Sequence, residues 1–474
     1  MVNAKSSNED TGSHGGPGHE NRFLRAPSDS CGNTEKTQTT SKEAIANTQP
    51  LGDFSLLPGL SSSCMATVPK QSLILSFEDA RHRVEEQAAK LRPGGRERVE
   101  LLDSAGRVLA EPILADRDFP PFPRAARDGY AVRSAVLASV PVTLEVIGEI
   151  KAGDEPKNIP AIGPGTTAAI MTGAAAPSGA DAVVMVEYTT RKGSRVEIAR
   201  SVGAGDNIVP TGSEARQGTI LLEAGLRVDE AAIAVLASVG KNLVDVFRRP
   251  NVAILATGDE IVGIEAAPGP NQIRNSNSYS LAAQAHKAGA MPVVLPVAPD
   301  EAGRLRVLIE QGFESDMLLL SGGVSVGKYD LVEQVLTDLH AEFFFTGAQI
   351  QPGRPVVFGR TRGKFFFGLP GNPVSTMVTF ELFARPVLDA LSGMKPRALT
   401  FLRARLKSDI KTKTGLKRFL PAIVSGEFEA AEVELARWQG SGDIASTARA
   451  NCYVVIPPDR ERIPAGEWVP VLMR

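Results

Sequence analysis

The sequence predicts a multidomain α/β plus β protein, in which an open, mostly parallel α/β sheet is joined by an inserted small β domain and a C-terminal β-barrel domain. Two observations support this prediction. Residues 250–397 alternate short apolar runs with helix-like segments, which is typical of a parallel sheet. Residues 122–209 and 398–474 instead hold short β-like runs separated by turns, which is typical of small β domains.

The composition argues against several classes of function. With 474 residues, a net charge of −2 and 22% charged residues, the chain has no bulk positive field for nucleic acid or an acidic membrane. Its 3 cysteines lie far apart, which indicates free thiols in a reducing compartment, and its 5 histidines form no zinc-ligand pair. Neither a membrane-spanning stretch nor a signal peptide is evident, so we expect a cytoplasmic protein.

The N-terminal part is expected to contain two kinds of chain. Residues 1–70 are rich in Ser, Thr, Asn, Gly and Pro, so we expect them to be disordered. Met65 is an alternative start for the chain, which the intact mass of the native protein would test. Residues 71–249 form the predicted N-terminal region. Helices are expected within it at 76–91, where Ser76 is the cap, and at 231–239.

The α/β region is expected to begin at Pro250 with an apolar strand that ends at 257–260. Helices are predicted at 278–288, 300–311, 329–339 and 374–391, and strands at 292–297, 317–320, 343–345, 356–358 and 365–367. Asp300 is expected to cap the second of these helices. Ligands bind beyond the carboxyl ends of the strands in such sheets, so loops 257–260, 321–327 and 368–373 are expected to share one rim. The barrel strands are predicted at 401–406, 418–424, 432–438, 452–457 and 468–472.

Two Gly-rich loops, 321–327 and 368–373, each follow a buried strand and precede a helix. Backbone N–H groups in such loops, together with a helix N-terminus, attract anions. Residues 322–328 match the first seven positions of the Walker A pattern, but Tyr329 replaces the hydroxyl that binds Mg²⁺, which disfavours a P-loop hydrolase. The motif alone leaves open a plain strand-to-helix turn and an anion cradle of another kind.

Several charged residues fall at the same predicted rim. The carboxylates are Asp259, Glu260, Asp300 and Asp330, and the cations are Lys328 and Arg354. Taken singly, each carboxylate is explained as a helix cap and each cation as a solvated surface charge. Together they suit Mg²⁺ and an oxyanion, since Mg²⁺ prefers a few carboxylates plus phosphate oxygens. The residue pattern by itself gives Asp128 and Thr172 no role beyond that of turn residues.

Six stretches, taken in order, resemble the molybdopterin molybdenumtransferases, a family that includes the bacterial molybdenum insertase, the plant insertase domain and the E domain of gephyrin. They are DFPPF through DGYAV (118–132), IMTGA (170–174), ATGDE (256–260), SGGVSVG (321–327), QPGRP (351–355) and GLPGNP (368–373). The resemblance spans roughly residues 72–474.

The resemblance implies an enzyme that converts molybdate and adenylylated molybdopterin to molybdenum cofactor and AMP, with the assistance of Mg²⁺. It also implies a homodimer whose cleft lies between the α/β domain of one protomer and the N-terminal domains of its partner. The adenylyltransferase that supplies the substrate is then an expected partner. Because molybdate is a tetrahedral dianion like phosphate, the N–H cradles and an Arg suit it.

The resemblance also assigns roles by position. It implies catalytic roles for Asp128, Thr172, Glu260, Asp300 and Asp330, with Glu260 and Asp330 as metal ligands. Substrate binding is expected at Ser321, Gly322, Gly323, Ser325, Gly327, Arg354, Pro370, Gly371, Pro373 and Ser441. No protein nucleophile is expected, because the attacking enedithiolate belongs to the substrate.

The chain departs from the family pattern at three positions. Gly347 and Gln351 stand where relatives often carry Lys or Arg, and Arg127 stands where Met is commoner. We therefore expect the positive charge near molybdate to come from Arg354, or in part from Arg127.

Two other functions remain open on a fold of this kind. One is a non-catalytic pterin-binding or scaffold protein, and the other is a nucleotide hydrolase like the competence-damage proteins. A scaffold need not keep the rim carboxylates, so their presence favours the enzyme. The stretches that carry Asp128 and Thr172 count against the hydrolase.

Overall fold

The α/β region is organised around a strand buried on both faces. In a computed structural model, the chain is described over residues 73–323, 331–395, 397–437 and 439–474. The predictions of disorder for residues 1–70 and of a start at Met65 fall outside these ranges.

The N-terminal region contains short strands and two helices. Its elements are β1 (Ile74–Leu75), α1 (Phe77–Ala88), β2 (Arg96–Glu100), β3 (Ile113–Leu114), β4 (Arg124–Ala125), β5 (Gly129–Val132), β6 (Val142–Ile150), β7 (Thr166–Ile170), β8 (Ala182–Met185), β9 (Thr189–Lys192), β10 (Arg195–Ile198), β11 (Ile208–Val209), β12 (Ile220–Leu222), α2 (Glu230–Ser238) and β13 (Leu243–Phe247). The predicted cap of α1 is confirmed, because Ser76 Oγ accepts a bond of 3.0 Å from the N–H of Asp79.

The inserted β domain is a sheet with the strand order β8-β5-β7-β6-β10-β9, which lies within residues 122–209. Both faces of β5 are covered, because Tyr130 and Val132 pack in one apolar cluster and Ala131 packs in another. Gly129 of β5 pairs with Ile170 of the antiparallel β7. This register brings the residue before β5, Asp128, close to the residues that follow β7.

The α/β region contains most of the remaining helices. Its elements are β14 (Asn251–Ala256), β15 (Ile261–Val262), β16 (Ile273–Arg274), α3 (Asn277–Lys287), β17 (Met291–Val294), α4 (Ala302–Gly312), β18 (Met317–Ser321), α5 (Leu331–Asp338), β19 (Glu342–Phe345), β20 (Gly347–Ala348), β21 (Ile350–Gln351), β22 (Val357–Thr361), β23 (Lys364–Leu369), α6 (Pro373–Thr379) and α7 (Arg385–Leu391).

The predicted mostly parallel sheet is confirmed. Its strand order is β17-β14-β18-β23-β22-β19, with parallel pairing from β17 to β23 and antiparallel pairing at β22 and β19. Every residue of β18 is buried, as expected for a central strand with helices on both faces. Helix α1 packs against this region, since β1 pairs in parallel with β20 and Phe77 lies 6.1 Å from Phe383, ring to ring.

The predicted long last helix of this region contains a π-helical turn. Residues Phe380–Ala384 form that turn between α6 and α7. Pro386, which has no N–H group, stands at the start of α7 and cannot continue a regular α-helical ladder. The helix therefore widens locally, and its apolar face stays in the core.

The C-terminal region forms the predicted barrel. Its elements are β24 (Phe401–Leu406), β25 (Ile410–Lys411), β26 (Lys417–Ser425), β27 (Glu432–Leu435), α8 (Ile444–Arg449), β28 (Cys452–Ile456), β29 (Arg462–Ile463) and β30 (Trp468–Met473). The strand order β26-β27-β24-β30-β28 is closed by pairing of β28 with β26. The barrel is tied to the α/β region by the parallel pairing of β21 with β26.

Candidate active site

A cleft of about 870 Å³ lies beyond the carboxyl ends of β14, β18 and β23. Its described lining residues are Thr257, Gly258, Glu260, Ile261, Ile273, Arg274, Asn275, Ser276, Asn277, Asp300, Ser321, Gly322, Gly323, Pro355, Pro370, Gly371, Asn372, Pro373, Gly442 and Ile444. All three predicted loops contribute to it. The prediction of one shared rim is therefore confirmed for the described residues.

Two glycines allow the rim loops to pack tightly. Gly322 and Gly323 adopt φ angles of +91° and +62°, which favour glycine. A Cβ atom on Gly322 would lie 2.7 Å from the carbonyl oxygen of Thr257, and one on Gly323 would lie 2.7 Å from the Thr257 hydroxyl oxygen. The β18 loop thus rests directly on the β14 loop, which fixes the spacing between the two walls.

Asn277 joins two walls of the cleft. Its Nδ2 donates to Ser321 Oγ at 2.9 Å and to the Gly371 carbonyl oxygen at 2.7 Å. A carbonyl can only accept, so this contact fixes which end of the amide carries the nitrogen. Asn277 is 8% exposed and Ser321 is 1% exposed. The β18 and β23 loops are therefore held together by a buried side chain.

The carboxylates of Glu260 and Asp300 both line the cleft. The pKa of Asp300 is raised, first because of its burial and then because of the negative charges of Asp259 and Glu260. The N–H of Asp300 donates to Asp259 Oδ1 at 3.1 Å, which holds the three acidic residues in one group. A bound cation would relieve this concentration of negative charge.

The prediction that Asp300 caps a helix is wrong. Helix α4 begins at Ala302, and its cap residue is Glu301, which makes no side-chain capping bond. Asp300 lies one residue too early to cap, and its side chain lines the cleft instead.

Asp128 and Thr172 lie together but do not line this cleft within the described chain. Asp128 Oδ1 accepts bonds from the N–H of Thr172 at 2.6 Å and from its hydroxyl at 2.9 Å. These two bonds, the backbone one first, lower the pKa of Asp128. Both residues are exposed, so the pair is fully formed on the surface of the β domain.

The remaining predicted substrate-binding residues divide between the wall and its surroundings. Pro370, Gly371 and Pro373 line the cleft, and Pro373 occupies the first turn of α6. Ser441 lies next to the lining residue Gly442, and its Oγ accepts a 2.9 Å bond from Asn372 Nδ2. Arg354 is exposed and is absent from the described lining, although Pro355 belongs to it.

Five of the predicted rim residues lie outside the described residues, so their placement is untested. They are Ser325, Gly327, Lys328, Tyr329 and Asp330.

The sequence reasoning missed one wall of the cleft. Residues 274–277, Arg-Asn-Ser-Asn, line it at the start of α3, and the C-terminal region contributes Gly442 and Ile444 at the start of α8. A polar run at the start of a helix that follows a sheet strand could have indicated the first group. The second group depends on contacts distant in sequence, which no local pattern carries.

The described residues fit Mg²⁺ only in part. Glu260 and Asp300 supply two carboxylates in one cleft, and oxygen ligands of this kind suit Mg²⁺. Over the described ranges, no group of three or more His, Cys, Asp or Glu side chains is arranged to hold a metal. The fit therefore depends on additional oxygen atoms, such as those of a substrate phosphate.

The described residues include no helix long and apolar enough to cross a membrane.

Three family models match the chain in sequence. Residues 75–240 match the MoeA N-terminal region (domain I and II), residues 253–390 match a probable molybdopterin binding domain, and residues 403–473 match the MoeA C-terminal region (domain IV). These matches follow the order of the N-terminal, α/β and barrel regions.

Curated relatives and solved structures agree with these matches. The chain is 37% identical over 387 residues to the molybdopterin molybdenumtransferase of Nostoc sp., covering 79% of this chain and 88% of the relative. The Bacillus subtilis protein of the same name is 36% identical over 393 residues, covering 80% and 90%. A molybdopterin biosynthesis moeA protein from Pyrococcus horikoshii OT3 is similar in structure, with a TM-score of 0.69, 29% identity, and coverage of 85% of this chain and 100% of that one.

Proposed function

The chain belongs to the molybdopterin molybdenumtransferase family and is a transferase of molybdenum cofactor biosynthesis, and we propose that it inserts molybdate into adenylylated molybdopterin with Mg²⁺-assisted release of AMP. The observation that carries this proposal is the cleft itself. Its rim combines two strand-end loops of the kind that bind oxyanions with the paired carboxylates of Glu260 and Asp300.

The chain's own residues act mainly by positioning. Gly322 and Gly371 line the cleft with backbone atoms that a bulky side chain would otherwise cover, so an oxyanion can approach the main chain closely. Asn277 keeps these two loops at a fixed distance. Such preorganisation lowers the barrier, because little rearrangement is needed when charge develops on the substrate.

Mg²⁺ would be held by Glu260 and Asp300, with Asp330 as a further ligand by analogy with the family. When bound, it neutralises charge on the phosphoanhydride oxygens and makes the P–O bond easier to break. The position of Asp300 beside Asp259 and Glu260 supports this assignment, because neighbouring negative charges create a site that favours a cation.

The proposal includes a homodimer, which the family resemblance implies and the position of the Asp128–Thr172 pair supports. The pair is exposed and lies outside the described cleft lining of its own chain, and in the proposed homodimer it would complete the cleft of the partner chain. A cytoplasmic location and an adenylyltransferase partner that hands over the adenylylated substrate belong to the same proposal.

The deciding experiment measures AMP. The purified protein is mixed with adenylylated molybdopterin and Mg²⁺, with or without molybdate, and AMP release is followed by chromatography. We expect AMP to be released only when molybdate is present. AMP release that does not depend on molybdate, or no release at all, would exclude the proposed reaction.

A further inference from the structure

The described lining of the cleft contains a single cationic side chain, Arg274. The same lining includes Glu260 and Asp300, so the described lining carries an excess of negative side-chain charge. Phosphate groups and molybdate are anions and are repelled by such a surface. A fixed positive charge on the wall therefore has a strong influence on the affinity of the cleft for these anions.

The backbone fixes Arg274 relative to Glu260. Strands β15 and β16 pair in parallel, with Val262 opposite Arg274, and the N–H of Ile273 donates to the carbonyl oxygen of Glu260 at 2.8 Å. Glu260, directly before β15, and Arg274, on β16, are thus held next to each other on the same wall. These backbone contacts hold Arg274 close to Glu260, the proposed metal ligand, and the two side chains form no ion pair with each other.

The guanidinium of Arg274 is oriented but largely uncommitted. Its Nε donates to the carbonyl oxygen of Ala266 at 3.1 Å. Over the described residues, no carboxylate lies within ion-pairing distance of it, and Nη1 and Nη2 have no hydrogen-bond acceptor. The outer edge of the planar group, with its parallel N–H bonds, therefore remains free for a two-point contact.

Neither cation expected from the sequence takes this place. Arg354 is exposed and absent from the described lining, and Arg127 lies next to Asp128 on the β domain, also outside that lining. The positive charge that this chain lacks at Gly347 and Gln351 is thus supplied to the described wall by a different strand.

We propose that Arg274 binds a tetrahedral oxyanion group of the substrates, through a two-point contact from Nη1 and Nη2. The group is either the phosphate of the adenylylated pterin or molybdate, because both present the same oxygen geometry. This inference rests on the proposed function. It assigns Arg274 to binding, while Glu260 and Asp300 remain available for the metal.

The test compares anion binding by four forms of the full chain. They are the wild type, Arg274→Met, Arg274→Lys and Arg403→Met. Arg403 is the matched control, because it is also an exposed strand residue with one bond to a backbone carbonyl, here that of Trp468, and it lies outside the cleft. AMP and sodium molybdate are titrated separately by calorimetry, and thermal unfolding checks that each variant is folded.

We expect Arg274→Met to weaken the binding of one of the two anions by about tenfold, because a charge-assisted two-point contact is lost. Arg274→Lys should weaken it less, since it retains the charge without the planar fork. A loss confined to AMP identifies the phosphate, and a loss confined to molybdate identifies the metal oxyanion. Arg403→Met should bind both as the wild type does.

Unchanged affinity of folded Arg274→Met for both anions overturns the inference, as does wild-type protein that binds neither. The assignment of Arg274 and the proposed reaction can fail separately. Arg274-dependent anion binding without molybdate-dependent AMP release would exclude the reaction and leave Arg274 as an oxyanion-binding residue.

Discussion

The α/β rim and the β-domain surface each carry acidic residues of the candidate site, but in opposite environments. At the rim, Asp300 lies beside Asp259 and Glu260, and its pKa is raised first by the partial loss of hydration and then by those two negative charges. On the β domain, Asp128 is exposed and its pKa is lowered by two bonds from Thr172. Among the described residues, no cationic side chain forms an ion pair with Asp300, whereas Asp128 is already stabilised by its bonds with Thr172.

This difference indicates how the two halves are used. A group of uncompensated carboxylates in a cleft is suited to receive a cation. A carboxylate that is rigidly held and solvated at a surface is suited to contact a ligand bound by a partner chain. The rim is therefore the half that collects small ligands, and the Asp128–Thr172 pair is the half presented to a partner.

The largest expected effect comes from combining two defective chains in one dimer. Asp128→Asn and Glu260→Gln should each lower the rate of AMP release by about 100-fold, since each removes a charge at the reacting centre. A heterodimer of the two, purified through different tags, should regain about half of the wild-type rate, because one of its two clefts then combines intact halves.

A second heterodimer is the control for this result. Asp128→Asn combined with Thr172→Ala places both defects in the β-domain half, so each cleft is damaged and no activity should return. If the Asp128→Asn and Glu260→Gln heterodimer is as inactive as its parents, the two halves do not meet between chains.

The next effect concerns the packing of the rim. Gly323 and Gly193 have nearly the same φ, +62° and +64°, but a Cβ on Gly323 would lie 2.7 Å from Val332 Cγ2, whereas a Cβ on Gly193 meets nothing within 4 Å. Gly193→Ala should therefore cost only the left-handed backbone strain, about 1 kcal/mol of the free energy of unfolding. Gly323→Ala adds overpacking and should cost about 3 kcal/mol. Urea unfolding measures both, and equal losses would show that the rim is not tightly packed.

A smaller effect contrasts how the two halves are anchored. Asn277→Ala removes two hydrogen bonds that join the rim loops, one buried and one part-buried, and should lower the free energy of unfolding by about 2 kcal/mol. Thr172→Val removes only an exposed hydroxyl and should change it by less than about 0.5 kcal/mol. Urea titration of the two variants tests this contrast. A similar cost for both would mean that the Asp128–Thr172 pair supports the fold as strongly as the rim does.

The rim could be predicted from the sequence to the extent that it follows local rules. An apolar strand that ends in a Gly-rich loop and leads into a helix fixes where that loop lies in a parallel sheet. The loops that hold Gly322 and Pro370 were therefore expected at one edge, and they line one cleft. The Asp128–Thr172 pair gave no such signal, and its role was suggested only by resemblance to a family.

What the sequence could not indicate depends on distant contacts. Asn277 joins Ser321 and Gly371, which lie 44 and 94 residues away, and nothing in its local pattern distinguishes it from another polar residue at a helix start. Asp300 was misassigned for the opposite reason. An Asp just before a helix fits a cap, and only the observed start at Ala302 shows that it does not serve as one.

The smallest effect is a pH dependence of opposite sign in the two halves. The pKa of Asp300 is raised above 3.8, so its contribution to stability is fully present below pH 3.8 and is lost as the pH rises through the raised value. Without divalent cations, Asp300→Asn should therefore raise the Tm at pH 7, and the gain should shrink toward pH 4.

The pKa of Asp128 is lowered, so its contribution to stability is present above pH 3.8 and is lost as the pH falls through the lowered value. Asp128→Asn should thus lower the Tm at pH 7. Thermal unfolding in EDTA from pH 4 to 7 measures both variants, and shifts of the same sign would mean that the two carboxylates do not differ as their surroundings indicate.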